Sequence, residues 1–97
     1  MKYVRYESRG NRVGIIERVD DFWEIGDDGY VLRSVHVQPD GSRLKYDRVH
    51  DADCLGALPE GVITPEMLAD CSMGTITFIS LADFEAKWTM KAKNERI

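Results

Sequence analysis

The sequence predicts an α+β fold, in which an antiparallel β-sheet of about five short strands carries a C-terminal helix on one face and a short helix in the 64–71 region. Three observations support this prediction: apolar and polar residues alternate through the first half of the chain, residues 30–49 have the pattern of a β-hairpin, and an amphipathic helical pattern begins only after residue 80. At 97 residues the chain has the size of one domain, 1–97, with residues 91–97 as a frayed polar tail.

Three short strands are predicted before the hairpin. Residues 2–7 alternate between polar and apolar side chains, and residues 13–19 form a second apolar strand. Two consecutive aspartates at 20–21 interrupt the pattern, because aspartate is depleted in strands and enriched in turns. Residues 22–25 are therefore predicted to form a separate third strand.

The hairpin over residues 30–49 is the clearest element. Its first strand alternates strictly, so one face is predicted to hold Val31, Arg33, Val35 and Val37, and the other Tyr30, Leu32, Ser34 and His36. A Pro-Asp-Gly turn at 39–41 follows, since proline presets φ and glycine accepts a positive φ. The returning strand places Leu44 and Tyr46 on one face.

The second half of the chain begins with a loop and a short helix. Residues 50–63 have loop composition, and Thr64 as N-cap with Pro65 in the first turn begins a helix that runs to about Cys71. A β-branched segment at 75–79 is predicted to be a further strand.

The final helix begins at a capping box formed by Ser80 and Asp83. Helical spacing puts Leu81, Phe84 and Trp88 on one apolar stripe and turns Glu85, Lys87 and Lys91 outward. This stripe is predicted to cover one face of the sheet.

The distribution of charge is the least ordinary property of the sequence. The formal net charge is −4, and residues 1–50 hold equal numbers of basic and acidic side chains. Residues 51–86 contain no lysine or arginine, whereas their acidic residues are Asp51, Asp53, Glu60, Glu66, Asp70, Asp83 and Glu85. Such a segment indicates an acidic surface that attracts a basic partner.

Cysteine content and hydropathy predict a cytoplasmic protein. Cys54 and Cys71 are its two cysteines, and a secreted domain of this size usually carries more disulfides, so reduced thiols are predicted and one Cys54–Cys71 bridge is left open. The alternating start at residues 1–6 differs from a signal peptide, and no apolar run approaches the roughly 18 residues of a membrane span, so no membrane partner is predicted.

No catalytic centre, cofactor or metal site is predicted. His50 and Cys54 lie four residues apart, a spacing from which a thiol–imidazole pair or part of a metal site can be drawn. Their segment has no helix to hold the pair, and a structural zinc site needs four ligands. The acidic run at 20–28 lacks the alternating spacing and terminal glutamate of a calcium loop. The protein is therefore predicted not to be an enzyme.

Basic side chains on the hairpin raise the possibility of nucleic-acid binding. They are Arg33, Arg43, Lys45 and Arg48, beside Tyr30 and Tyr46, and aromatic residues among basic ones can stack on single-stranded nucleic acid. Pairing of Arg33 and Lys45 with nearby acids is the simpler interpretation. Because the net charge is also negative, direct nucleic-acid binding is not predicted.

Several motifs occur together in the chain: Tyr30-x-x-Arg33-x-Val35-x-Val37 leading to Asp40-Gly41, Leu58-Pro59-Glu60 followed by Pro65, and a terminal Phe84-Glu85-x-x-Trp88. Over residues 13–88 this set resembles a family of small uncharacterised bacterial α+β domains similar to toxin-immunity proteins. The resemblance implies a protein that neutralises a cognate toxin by occluding it. It transfers no catalytic residue, because the matching positions determine the fold.

The predicted function is that of a small acidic binding protein that occludes a basic protein partner stoichiometrically, as an immunity-type protein or a phage-borne inhibitor of a nuclease or nucleic-acid-handling complex. The predicted partner-binding residues are Asp51, Asp53, Glu60, Glu66 and Asp70, with a nearby aromatic residue as anchor. The alternative is a structural or regulatory interaction module that acts through its sheet face or by self-association. A small enzyme that uses Cys54 and His50 is a third hypothesis.

Overall fold

An antiparallel sheet of five strands forms the centre of the protein. The computed structural model describes residues 1–9, 18–69 and 74–93. Its elements are β1 (Lys2–Arg9), β2 (Arg18–Ile25), β3 (Val31–Val37), β4 (Arg43–Asp47), β5 (Ala52–Asp53), β6 (Gly56–Ala57), α1 (Pro65–Ala69), β7 (Gly74–Phe78) and α2 (Leu81–Trp88). The sheet order is β4-β3-β2-β1-β7, and β5 and β6 form a separate two-stranded hairpin. The predicted α+β fold is confirmed.

Strand β2 runs unbroken from Arg18 to Ile25, so the prediction that Asp20 and Asp21 end a strand is wrong. Both carboxylates have partners on the neighbouring strands. Asp20 accepts a hydrogen bond from Arg5 of β1 at 3.3 Å, and Asp21 lies 2.7 Å from the His36 ring nitrogen of β3. Cross-strand pairs of this kind offset the low strand propensity of aspartate. The rest of the predicted strand, 13–17, lies outside the described residues.

The hairpin of β3 and β4 is confirmed, but one of its faces is assigned differently. Glu24 of β2 lies opposite Arg33, whereas the next residue, Ile25, lies opposite Val31, so β3 contains one extra residue at Leu32. Such a bulge moves the preceding side chain to the other face of the sheet. Val31 therefore packs with Ile25 and not with Val35, contrary to the strict alternation that the sequence predicts.

Helix α2 covers one face of the sheet, as predicted. Ser80 is its N-cap and accepts a hydrogen bond from the Asp83 N–H at 3.1 Å. Phe84 is fully buried against Phe22 and Val35. The prediction for Leu81 is wrong, because this residue of the first turn is 51% exposed while the later turns supply the contacts with the sheet.

The segment 50–69 covers the opposite face. A second cluster of buried residues, made of Val4, Ile25, Val31 and Ile63, lies there with Trp23, Leu58, Leu68 and Ile76 packed against it. Helix α1 belongs to this layer, and its predicted end near Cys71 lies outside the described residues. Both faces of the sheet are therefore covered, although the sequence predicts a covering helix for only one.

An ion-pair network joins α2 to the sheet. The Arg33 guanidinium binds Glu24 at 2.6 Å and Glu85 at 2.5 Å, and it lies 4.9 Å from the ring centre of Phe84 and 5.0 Å from that of Trp88. Glu85, predicted to face outward, thus turns back to the sheet. The hydrogen bond from Arg33 lowers the pKa of Glu24, and the bond to Glu24 raises the pKa of Arg33.

Candidate functional site

Three of the predicted partner-binding residues lie on the surface of the segment that covers the second face. Asp51, Glu60 and Glu66 are exposed, with Glu66 in the first turn of α1. Asp70 lies outside the described residues. Because residues 51–69 contain no lysine or arginine, no basic side chain within this segment offsets these carboxylates.

Asp53 has a different role from the other predicted residues. One carboxylate oxygen accepts hydrogen bonds from the Tyr46 hydroxyl at 2.8 Å and from the Leu55 N–H at 2.8 Å. The other oxygen lies 2.9 Å from the ring nitrogen of His50. Asp53 therefore holds the β5–β6 hairpin against β4, and both of its carboxylate oxygens are engaged in contacts within the protein.

Exposed apolar side chains occur in the same segment as these acidic residues and on the turn that contacts it. Tyr30 is 45% exposed, Val62 is 44% exposed and Met67 is 50% exposed. Tyr30 and Val62 are paired in an isolated antiparallel bridge. Gly29 is required here, because its φ is +89° and an added Cβ would lie 2.6 Å from the Val62 side chain.

The turn between β2 and β3 brings a further carboxylate to this surface. Asp28 is exposed in the turn, whereas Asp27 is paired with the N-terminal ammonium group at 2.6 Å. A groove of about 400 Å³ is lined by this turn and by residues 62–65, and Ile25 and Ile63 are among its apolar lining residues. The Tyr30–Val62 bridge joins this turn to the segment 60–67, and we call the exposed side chains of the two segments, Asp28, Tyr30, Glu60, Val62, Glu66 and Met67, the acidic patch.

Asp28 and Tyr30 are the residues that sequence reasoning missed. Aspartates next to glycine are typical of an ordinary turn, and the Asp28 carboxylate does accept a local bond from the Tyr30 N–H at 3.2 Å. The signal available in the sequence was the density of acidic residues before Tyr30. Their place beside Val62 depends on a contact between segments that are distant in the chain.

The hydrogen-bond partner of the His50 ring is Asp53. The His50 ring also stacks on Tyr46 with ring centres 5.9 Å apart, while Cys54 is an exposed free cysteine. Cys71 lies outside the described residues. Within residues 1–9, 18–69 and 74–93, no group of three or more His, Cys, Asp or Glu side chains is placed to hold a metal ion.

A second His–Asp pair lines a small cavity between the sheet and the β5–β6 hairpin. The cavity has a volume of about 190 Å³ and is lined by Asp21, Ser34, His36 and Tyr46, together with apolar residues. His36 Nδ1 lies 2.7 Å from Asp21, and this hydrogen bond raises the pKa of His36. The pair orients the imidazole, but no hydrogen bond joins Ser34 to His36 in the described part of the chain.

The His36–Asp21 pair is expected to make stability depend on pH. The pKa of His36 is raised above its ordinary value of 6.5, so its contribution to the free energy of unfolding is complete below pH 6.5 and is lost as pH rises through the folded-state pKa. Urea unfolding at about pH 5.5 and about pH 8.5 measures this change. In Asp21→Asn, the difference in the free energy of unfolding between the two pH values is expected to shrink. The pKa of His36, measured by NMR, is expected to fall. An unchanged His36 titration in that variant would contradict the assignment.

Two of the basic hairpin residues form ion pairs or hydrogen bonds within the protein. Arg33 lies under α2 as described, and the Lys45 ammonium group donates to the Trp88 carbonyl oxygen at 2.7 Å. The predicted pairing with nearby acids is confirmed for Arg33, which binds Glu24 and Glu85, whereas the bond described for Lys45 is to a backbone carbonyl oxygen.

Comparison with known proteins adds no relative. No family model, curated protein or solved structure matches the chain. The similarity to small bacterial domains and immunity proteins therefore stays a prediction. Among the described residues, no helix has the length and apolar character needed to cross a membrane.

Proposed function

We propose that this protein is a small acidic binding protein that occludes the basic surface of a protein partner through the acidic patch. The observation that carries the proposal is that Asp28, Glu60 and Glu66 are exposed on two segments that the Tyr30–Val62 bridge joins, together with exposed apolar side chains. Partners with this chemistry include nucleases and nucleic-acid-handling complexes, whose active grooves are basic because they bind phosphates. An immunity-type protein or a phage-borne inhibitor acts in this way.

Each component of the patch has a distinct role in such binding. The carboxylates attract a basic surface and speed the encounter, while they reject acidic competitors. Tyr30 is the aromatic anchor, since a half-exposed tyrosine buries a large ring at low entropic cost. The neighbouring groove has room for the aliphatic stem of a lysine or arginine side chain. Binding alone blocks the partner, and no chemical step is required.

Charge reversal on the patch is expected to weaken partner binding without unfolding the protein. A tagged parent is used to capture its partner from lysate of the source organism, and the affinity of the purified pair is then measured. Glu60→Lys with Glu66→Lys is expected to weaken binding by about tenfold to a hundredfold, because both carboxylates are exposed and the substitution replaces their attraction for a basic surface with repulsion.

The matched control reverses two exposed carboxylates elsewhere, Asp40→Lys with Asp83→Lys, and so changes the net charge equally. The control variant is expected to bind nearly as well as the parent. Equal binding by the patch variant and the control would refute the proposal, and so would a captured partner whose affinity does not fall with increasing salt.

One observation favours the alternative function, an interaction module that self-associates. The outer edge of the sheet at β7 carries no charged side chain. The version of this alternative that uses a sheet face has less support, because α2 and the segment 50–69 cover the two faces.

A further inference from the structure

The two edges of the five-stranded sheet differ in how they are protected. Edge strand β4 carries Arg43, Lys45 and Asp47, and its Arg43 carbonyl oxygen accepts a hydrogen bond from the Lys93 N–H at 2.7 Å. Edge strand β7 has the sequence Gly-Thr-Ile-Thr-Phe, without charge or proline. In the described part of the chain no strand pairs with its outer side. An edge of this kind is a template for another strand.

The backbone of β7 has a defined set of outward groups. The Ile79 N–H donates to the Tyr3 carbonyl oxygen of β1 at 2.9 Å, directly after the last pair of the ladder. Because hydrogen-bonding direction alternates along an antiparallel strand, the backbone N–H and C=O groups of Thr77 and Thr75 also point toward β1. The N–H and C=O groups of Gly74, Ile76 and Phe78 therefore point away from the sheet.

The three outward-facing residues, Gly74, Ile76 and Phe78, are spaced symmetrically about Ile76. If a second β7 lies antiparallel with Ile76 opposite Ile76, the outward residues pair only with each other, and each pair exchanges two hydrogen bonds. In this register Gly74 meets Phe78, and Thr75 meets Thr77. Threonine–threonine pairs and an aromatic ring over a glycine are both favourable across strands.

We infer that two copies of this chain pair through β7 in an antiparallel, twofold-symmetric contact centred on Ile76, which joins the two sheets into one. The inference goes beyond the proposed function, since β7 shares no residue with the acidic patch.

Charge favours a second copy over a different partner on this edge. Each copy has a net charge of −4, so self-association needs a contact surface that places no like charges together, and β7 provides one. A basic partner would find no carboxylate on β7 to recognise. The exposed side chain of Phe78, which is 62% accessible, is available to cover the partner's Gly74.

Charged pairs at Thr75 and Thr77 test both the contact and its register. Both side chains are exposed on the face that also bears Glu7 and Arg5 of β1. In Thr75→Lys/Thr77→Lys, each lysine meets a lysine of the other copy, and dimerisation is expected to weaken by about tenfold or more. In Thr75→Lys/Thr77→Glu, each lysine meets a glutamate, and the dimer is expected to persist.

A backbone test complements the charge test. Ile76→Pro removes an outward N–H without removing a bond to β1, whereas Ile76→Ala shortens the same side chain and keeps the N–H. The proline variant is expected to be a monomer, whereas the alanine variant is expected to dimerise more strongly than the proline variant. Circular dichroism and urea unfolding establish that each variant is folded.

Sedimentation equilibrium measures the mass of each protein over a range of concentrations. The parent and the Lys/Glu variant are expected to approach twice 11.1 kDa, and the Lys/Lys and proline variants to stay near 11.1 kDa. A monomeric parent, an open series of larger species, or a Lys/Lys variant that dimerises as well as the parent would each overturn the inference.

Discussion

Phe84→Ala is expected to lower the free energy of unfolding by about 3–5 kcal/mol. Phe84 is fully buried, and its ring centre lies 5.6 Å from that of Tyr3 and 6.3 Å from that of Trp88. The ring also supports the Arg33 guanidinium. Truncation leaves a cavity between α2 and the sheet, and the short helix has few other buried contacts with which to compensate. Urea unfolding followed by circular dichroism measures the change.

Leu81→Ala is the matched control for this prediction. It lies on the same helix and is 51% exposed, so its truncation is expected to cost less than about 1 kcal/mol. A similar cost for both substitutions would contradict the conclusion that the packing of Phe84 holds α2 on the sheet.

Glu24→Gln is expected to lower the free energy of unfolding by about 2–4 kcal/mol at neutral pH. Glu24 is 6% exposed and makes two hydrogen bonds to Arg33, at 2.9 and 2.6 Å. Without this carboxylate, the half-buried guanidinium keeps only the more exposed Glu85 as an ionic partner. Removing one member of a buried pair leaves the desolvation cost of the other uncompensated.

The pH dependence of this difference provides an independent check. The bond from Arg33 lowers the pKa of Glu24 below its ordinary value of 4.5, so its contribution is present above pH 4.5 and is lost as pH falls through the folded-state pKa. The difference in the free energy of unfolding between the parent and Glu24→Gln is expected to become smaller at acidic pH. Glu85→Gln is the control, with an expected cost below about 1 kcal/mol because this partner is more exposed. Equal costs at both positions would contradict the central role of Glu24.

These interactions separate the structural charges of the protein from those available to a partner. Arg33, Glu24 and Glu85 stabilise the attachment of α2, and Asp53 positions the β5–β6 hairpin. The carboxylates of Glu60 and Glu66, by contrast, remain exposed beside apolar side chains. Substitutions in the first group should affect stability, whereas those in the second should affect binding.

The sequence by itself determined the class and placement of most secondary structure. Strict alternation indicated β3, a glycine with a φ of +87° at position 41 completes the predicted hairpin turn, and Ser80 caps α2 as its pattern indicated. Each of these features depends on residues only a few positions apart, so local propensity and periodicity suffice to predict it. The acidic character of residues 51–69 is likewise a property of composition.

Only the tertiary structure decided which distant segments meet. It placed β7 beside β1, shifted Val31 to the other face by a bulge, and brought Asp28 and Tyr30 next to Val62. Strand order and register minimise exposed apolar area over the whole sheet, and loop closure costs depend only weakly on loop length. No local pattern encodes such a choice. For this reason the sequence indicated an acidic segment, while the residues that complete the patch emerged only from the fold.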